Sequence, residues 1–376
     1  MDPVAPLLAW ARSQPFGRDW ITRFRNLMRA MTVSQIGPAE GSPLSLREVP
    51  RPEVGPGEIL VRVEVCGVCR TDLHVVEGDL PGVAPGTIPG HEVVGRIEAL
   101  GPGAGPYHVG DRVGIPWLHR SCGRCRFCTT GRENLCPSKE FTGYTVAGGY
   151  AEYLRADAGF AFPMPEGDPG PMAPLLCAGI IGYRALKIAA PPAAGRIGFF
   201  GFGASAHLTL QLAVRLGFET VVYSRSPAHR RLAERLGATE VVEPPREGRT
   251  APGGRLDSAL VFAPAGEVVL QALGELDRGG SLAIAAIHLS PIPPIDYDLR
   301  LFGERRIQSV EANTRADARE FLTLAHRFGL RATTTTRPLD AANGALIDLK
   351  AGRIDGAVVL DPRGADPTEA AVGRSR

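Results

Sequence analysis

The chain has 376 residues, 44% of them hydrophobic and 22% charged, with a formal net charge of +2 at pH 7. That length allows two domains with separate cores, and the composition is that of an ordinary globular protein. The near-balanced charge argues against a general binder of nucleic acid or of membrane surfaces, which would carry a clear basic excess.

Residues 1–27 lack a compact apolar stretch followed by a small-residue cleavage site, and Asp2 and Asp19 fit poorly with a transit peptide. They are expected to form an extension with little order. From Leu44 to Tyr153 short β-type runs such as EILVRVEVCGV and HEVVGRIEAL are broken by Gly and Pro, the pattern of an antiparallel, barrel-like region. From Cys177 to Asn313 apolar strands alternate with helix-period segments, as a parallel βαβ sheet requires. The clearest unit is RIGFFGFG, ASAHLTLQLAVRLG, FETVVYSR. Leu208, Leu212 and Leu216 line one helix face, and Gly217 is placed to end the helix. Ser226-Pro227 reads as an N-cap followed by Pro at the first helical position. Further strands are predicted at Ala259–Phe262, Leu282–Ile287 and Ile307–Val310. The most apolar region, Pro174 to Ala190, holds Arg184 and Lys187, so no membrane span is expected.

Four of the seven cysteines, Cys122, Cys125, Cys128 and Cys136, are spaced C-x2-C-x2-C-x7-C. Four thiolates complete a tetrahedral zinc site and leave no position open for chemistry. Buried free thiols, two disulfides or an iron–sulfur cluster are the alternatives. Metal-type cysteine usage in a chain of this length points to a reducing, cytoplasmic compartment. Cys66 in CGVCRTDLH, His91 and Glu92 in GHE, and Cys177 in LLCAG are more dispersed. Each has a bland reading as a core or structural residue, and spacing alone does not join them. Together they form a mixed sulfur and nitrogen set that suits a catalytic zinc with an exchangeable position.

The segments CGVCRTDLH, PGHE, VGDRVGIPW, the four-cysteine lobe, GGYAEY, LLCAG and GFGASA follow one another in the order seen in a known family. In this the chain resembles the zinc-dependent alcohol dehydrogenases of the medium-chain dehydrogenase/reductase superfamily, over about residues 30 to 362. The resemblance implies an α/β plus β fold. A GroES-like catalytic domain (28–176 and 314–376) would be interrupted by a Rossmann cofactor domain with a doubly wound parallel sheet (177–313). It implies two zinc ions per chain, one held by Cys66, His91 and Cys177 and one by the four-cysteine lobe. Glu92 would stand near the catalytic zinc, and Asp72 would orient the His91 imidazole. Cys69 is read as packing. Thr71 and His74 match the family's proton relay, and Arg70 a basic residue facing the cofactor diphosphate. Trp117 resembles a substrate-pocket aromatic, with a barrel-core tryptophan as the alternative. Leu80 stands where yeast-type enzymes carry a bulky aromatic, which would widen the pocket. Zinc would act as a Lewis acid on the substrate oxygen while hydride passes between the alcohol carbon and nicotinamide. A small-molecule alcohol/aldehyde partner and a homodimer or homotetramer are implied as well. A cinnamyl-type aldehyde reductase, a polyol dehydrogenase, a zinc-free quinone reductase and a non-catalytic nucleotide binder are the competing readings.

Gly201, Gly203 and Ala206 fit G-x-G-x-x-G/A between a strand and a helix. Gly201 allows the turn, Gly203 and Ala204 open the helix at which a diphosphate would sit, and Ala206 allows close packing. The second strand ends in Tyr223-Ser224-Arg225-Ser226, without the carboxylate that would bind a ribose 2′-hydroxyl. Ser224 and Arg225 there favour NADP slightly over NAD. The alternative is a solvated Arg225 with NAD in use.

Overall fold

The computed structural model describes residues 26–244 and 255–363. Nearly all of the expected N-terminal extension therefore lies outside the described residues, and the first strand begins at Leu27. The described residues open with a hairpin, β1 (Leu27–Val33) and β2 (Leu44–Pro50), and then the long β3 (Glu58–Val68). A short helix, α1 (Arg70–Glu77), follows, and then β4 (Val93–Leu100), β5 (Arg112–Ile115), β6 (Leu118–Arg120), β7 (Glu140–Phe141), β8 (Tyr153–Asp157) and β9 (Phe162–Pro163). After helix α2 (Ala178–Ala189) come β10 (Arg196–Phe200), α3 (Ala204–Arg215), β11 (Glu219–Tyr223), α4 (Pro227–Arg235), β12 (Glu240–Val242), β13 (Leu256–Val261), α5 (Gly266–Glu275), β14 (Leu276–Ile284) and β15 (Arg306–Ser309). The described residues close with α6 (Arg315–Phe328), β16 (Thr334–Pro338), α7 (Ala342–Lys350) and β17 (Ala357–Asp361).

Two large sheets organise these elements. The first runs β16-β17-β3-β4-β5-β9 with β8 also on β3, and is antiparallel except for the β16–β17 pair. The C-terminal β17 lies directly on β3, with Leu360 opposite Cys66, so the last segment of the chain completes the first domain. The second sheet is wholly parallel, in the order β12-β11-β10-β13-β14-β15. That is the doubly wound order whose direction reverses between β10 and β13, and ligands bind outside the strand ends at that crevice. Gly201 leaves β10 there with φ +89, and a Cβ would stand 2.8 Å from the Ala263 nitrogen, so only glycine makes this turn.

The expected return to the first domain after Asn313 falls just before α6, a helix that packs on both cores, its Leu322 lying against the cluster of Val65, Val94 and Val359 of the first sheet. Helix α6 buries Ala318, Phe321 and Ala325 in the Rossmann core, and Leu330 and Ala332 join them. The physical reason is contact with α2, where Phe321 covers Gly179 so closely that any Cβ would meet the ring. The stretch Gly170–Ala189 has the length and mean hydropathy (1.4) of a membrane-crossing helix. In the fold it is a 3-10 turn plus α2, with Ala178, Ile180, Ala185, Leu186 and Ala189 buried in the Rossmann core. Leu208 and Leu212 are fully buried as predicted, while Leu216 falls just beyond α3 and is exposed. Ser226 caps α4, its Oγ accepting from the His229 N–H.

Candidate active site

Where β3 ends, the chain turns at Cys69 into α1. Cys69 is the N-cap, with the Asp72 carboxylate accepting its backbone N–H at 2.9 Å. This turn aims the Cys69 thiol at the cleft between the domains. Its Sγ lies with His91, Glu92 and Cys177, one ligand atom from each residue all within 4.8 Å of one another. The expected ligand Cys66 is not in that group. It sits inside β3, fully buried, and its Sγ donates weakly to the Gly67 carbonyl at 3.6 Å. Cys66 Sγ also fills the space over Gly90 and Gly149, where a Cβ would come within 2.8 and 3.0 Å of it. The structure thus packs Cys66 in the strand interior and sets Cys69 among the clustered donor atoms, the reverse of the expected placement. The reason is local geometry: a strand interior points Cys66 into the barrel, while the strand-to-helix corner frees Cys69.

The group has the chemistry of a metal site. His91 is fully buried and its Nδ1 is 2.7 Å from Asp72 Oδ1, while its Nε2 has no hydrogen-bond partner among the described residues. An unpaired ring nitrogen buried beside two thiols needs a ligand, and a zinc ion would supply it. Burial works to lower the basicity of the His91 imidazole, but the Asp72 carboxylate outweighs it and holds the ring well above its usual pKa. The Cys177 thiol, donating to Cys69, holds the Cys69 sulfur well below the usual thiol range. Burial pushes the Glu92 carboxyl well up, and the Cys69 and Asp72 charges add to the effect. Glu92 rests over Gly67, where any Cβ would collide with its carboxylate.

Asp72 is the hub of this arrangement. Besides His91 and the Cys69 N–H, it accepts from the Gly90 N–H at 3.1 Å and from the Tyr150 hydroxyl at 3.2 Å. The sequence reading missed Tyr150, which in GGYAEY carries no ligand-like spacing. Thr71 Oγ1 lies 3.9 Å from the Cys69 sulfur. His74 is buried with Nδ1 2.7 Å from Asp79 Oδ2. Trp117 meets the His91 ring edge-on at 5.0 Å and stacks on Phe141 at 4.7 Å and on Tyr144 at 5.9 Å. Phe141 and Tyr144 were also missed, because they reach the site only through the β6–β7 pairing. The Tyr144 hydroxyl donates to the Pro81 carbonyl, which brings it beside half-buried Leu80.

In the lobe, the four Sγ atoms of Cys122, Cys125, Cys128 and Cys136 lie within 4.8 Å of one another. Cys125 and Cys128 are 3.5 Å apart and Cys122 and Cys128 3.9 Å, far beyond a disulfide bond. Zinc–sulfur bonds of about 2.3 Å in a tetrahedron put sulfurs about 3.8 Å apart, so the spacing fits an ion. The backbone N–H groups of Arg124 and Cys125 lower the Cys122 thiol to about 6.

On the Rossmann side Gly203 is the N-cap of α3, and a Cβ there would project into open space. That is the cradle a diphosphate needs at a helix N-terminus. Ala204 follows as the first residue of α3. Ser224 is buried with its Oγ accepting from the Ser226 N–H, and Arg225 is exposed. Arg230 folds back from α4 to donate to the Ser224 and Arg225 carbonyls at 2.8 and 3.1 Å, a brace the sequence reading did not foresee. The Arg70 guanidinium donates to the Leu349 carbonyl at 3.4 Å.

A barrel domain carrying a mixed thiol–imidazole centre, set against a nucleotide-type parallel sheet, defines a metal-dependent dehydrogenase. Residues 55–166 match the alcohol dehydrogenase GroES-like domain, and residues 206–327 match the zinc-binding dehydrogenase domain. The chain is 50% identical to "Probable alcohol dehydrogenase AdhA" of Mycobacterium tuberculosis (strain CDC 1551 / Oshkosh), covering 89% of this chain and 97% of that protein. It is 36% identical to an alcohol dehydrogenase of Geobacillus stearothermophilus, over 89% of this chain and 98% of the relative. Among solved structures it resembles the cinnamyl alcohol dehydrogenase SbCAD4 of Sorghum bicolor, with TM-score 0.82, 27% identity and 90% and 98% of the two chains covered. The chain belongs to the zinc-dependent alcohol dehydrogenases of the medium-chain dehydrogenase/reductase superfamily. It is an enzyme that interconverts alcohols with aldehydes or ketones by hydride transfer with a nicotinamide cofactor.

Proposed function

We propose that Cys69, His91 and Cys177 hold the catalytic zinc, with Glu92 beside it, and that Cys122, Cys125, Cys128 and Cys136 hold a second, structural zinc. The observation that carries the first assignment is the unpartnered Nε2 of His91, buried within the Cys69–Glu92–Cys177 group. Zinc bound there supplies Lewis-acid activation of the substrate oxygen. The protein's own residues do the rest. Asp72 fixes the His91 ring, with the Tyr150 hydroxyl and the Gly90 N–H holding the carboxylate. Thr71 takes the hydroxyl proton of the alcohol. With Nδ1 engaged by Asp79, His74 has Nε2 left to receive that proton; a bound cofactor's ribose would supply hydroxyls between the two residues. Trp117, Phe141 and Tyr144 make one apolar wall, and Leu80, next in the chain to the Pro81 that Tyr144 bonds, extends it with a smaller side chain than an aromatic. The stacked aromatics favour an apolar or aromatic primary alcohol, and this supports the cinnamyl-type reading as the second choice.

NADP is the preferred cofactor in this reading, by a small margin, with Ser224 and Arg225 at its 2′-phosphate and Arg70 at its diphosphate. Arg230 supports that choice by bracing the Ser224–Arg225 turn. In this reading the Rossmann unit spans residues 177–313 and the catalytic domain takes 28–176 and 314–376, with α6 packed against both cores. A cytoplasmic homodimer or homotetramer, with no nucleic-acid or membrane partner, completes the proposal. The test is elemental analysis of metal-replete enzyme together with kcat/KM for a panel of alcohols and both cofactors. Two zinc ions per chain and turnover of apolar primary alcohols are expected. One zinc or none, or turnover confined to polyols, would overturn the reading.

A further inference from the structure

Across the cleft from α1, the loop after β14 carries His288. Its ring centroid is 5.5 Å from that of His74, tilted by 35°. The two imidazoles come from different domains. His74, on α1 of the barrel, is mostly buried and held by Asp79, while His288 stands exposed on the Rossmann side. The loop is anchored on both sides of His288. The Ala285 N–H donates to the Val261 carbonyl, Ser290 N–H to the Pro264 carbonyl, and Ser290 Oγ accepts from the Gly266 N–H. Between Arg278 and Asp296 no other side chain of the segment is ionisable, and the same segment exposes Ile287 and Ile292. A single imidazole in an otherwise apolar loop, fixed beside another domain's imidazole, is placed to exchange protons.

We infer that His288 is the outer station of the proton exit, taking the proton that His74 has received and releasing it to bulk solvent. This rests on the relay reading above. Nε2 of His74 gains the proton that the alcohol loses. With His74 Nδ1 tied to Asp79, that same Nε2 proton passes to a ring nitrogen of His288, directly or across one water, and His74 returns to neutral. The other charges on α1 and on the elements packed against it have their own partners. Arg70 is on the Leu349 carbonyl, and Lys350 of α7 binds both Glu77 and Glu40. Asp72 is on His91, and Asp348 of α7 pairs with Arg337 and Arg353, so among the described residues Asp79 and His288 are the ionisable groups in contact with His74. Because the rings belong to different domains, the exit is complete only at this domain spacing.

The test is rapid mixing of zinc-loaded enzyme with its oxidised cofactor and benzyl alcohol in dilute buffer, following proton release with an indicator dye and reduced nicotinamide by absorbance. His288→Phe keeps a ring against His74 but removes the base, and His288→Ala removes both. Both variants should release the proton roughly 10-fold more slowly, less than the hundredfold or more that a directly acting base contributes. Added imidazole buffer should restore the rate, with KM for benzyl alcohol unchanged. Wild-type proton release in His288→Phe, or slowing that imidazole does not relieve, would reduce the ring pair to a packing contact and overturn the inference. His74→Ala separates the two levels. If it behaves as wild type, the relay reading itself fails. If it is slowed while His288→Phe is not, only the role of His288 falls.

Discussion

Asp72 Oδ1 lies 2.7 Å from His91 Nδ1, while Asp72 Oδ2 accepts the backbone N–H of Cys69 at 2.9 Å, so one carboxylate positions two donors of the same centre. Replacing Asp72 by Asn removes the charge that fixes the His91 tautomer. Zinc affinity or activity should fall on the order of 10- to 100-fold, as for other partners of ligating imidazoles. Chelator competition and kcat/KM measure it, and unchanged values in Asp72→Asn would remove Asp72 from this role. Tyr150→Phe should act in the same direction but more weakly, since a single neutral hydrogen bond contributes roughly 0.5–1.5 kcal/mol.

The exchange of places between Cys66 and Cys69 that we propose gives a direct comparison. Cys69→Ser should leave one zinc per chain and almost no turnover, with the fold retained. Cys66→Ala should keep two zinc ions and most of the activity, at a cost of roughly 1 kcal/mol in stability for a small buried change. Loss of one zinc in Cys66→Ala, with two retained in Cys69→Ser, would return the ligand to Cys66.

The lobe cysteines should behave differently from the catalytic set. Binding at a closed four-thiolate site is folding free energy, so Cys125→Ser should lower Tm and yield more than it lowers specific activity of the folded fraction. Cys177→Ser should do the reverse. Thermal unfolding with metal content and kcat for both variants decides this, and matching profiles would erase the division into catalytic and structural sites.

Cofactor choice turns on the end of β11. A charge-assisted hydrogen bond from Arg225 to a 2′-phosphate contributes roughly 1.5–3 kcal/mol, or about ten- to a hundredfold in preference. Ser224→Asp with Arg225→Ala should therefore turn preference toward NAD. Comparison of kcat/KM for both cofactors in wild type and double variant is the measurement. A wild type that already favours NAD would mean Arg225 serves solvent alone.

Several features were legible along the chain because they are local. The four-cysteine lobe lies within fifteen residues, from Cys122 to Cys136. Thiols that close in sequence meet whatever the rest of the fold does. The glycine turn from β10 into α3 and the Ser226 cap are likewise decided by neighbouring residues. The order of motifs identified the family without any distance.

Which of Cys66 and Cys69 stands with His91, Glu92 and Cys177 was not legible in this way. CGVC offers two thiols three residues apart, and only the end of β3 at Val68 decides which is inside a strand and which caps a helix. The packing of α6 on the Rossmann core depended on Phe321 meeting Gly179, well over a hundred residues away in the chain. Tyr150, Phe141, Tyr144 and His288 reach the site through strand pairing and domain apposition, contacts that no spacing in the sequence encodes. Local chemistry was therefore written in the sequence. Which distant side chains share the cleft was decided by tertiary packing, because their contacts form only once both sheets are in place.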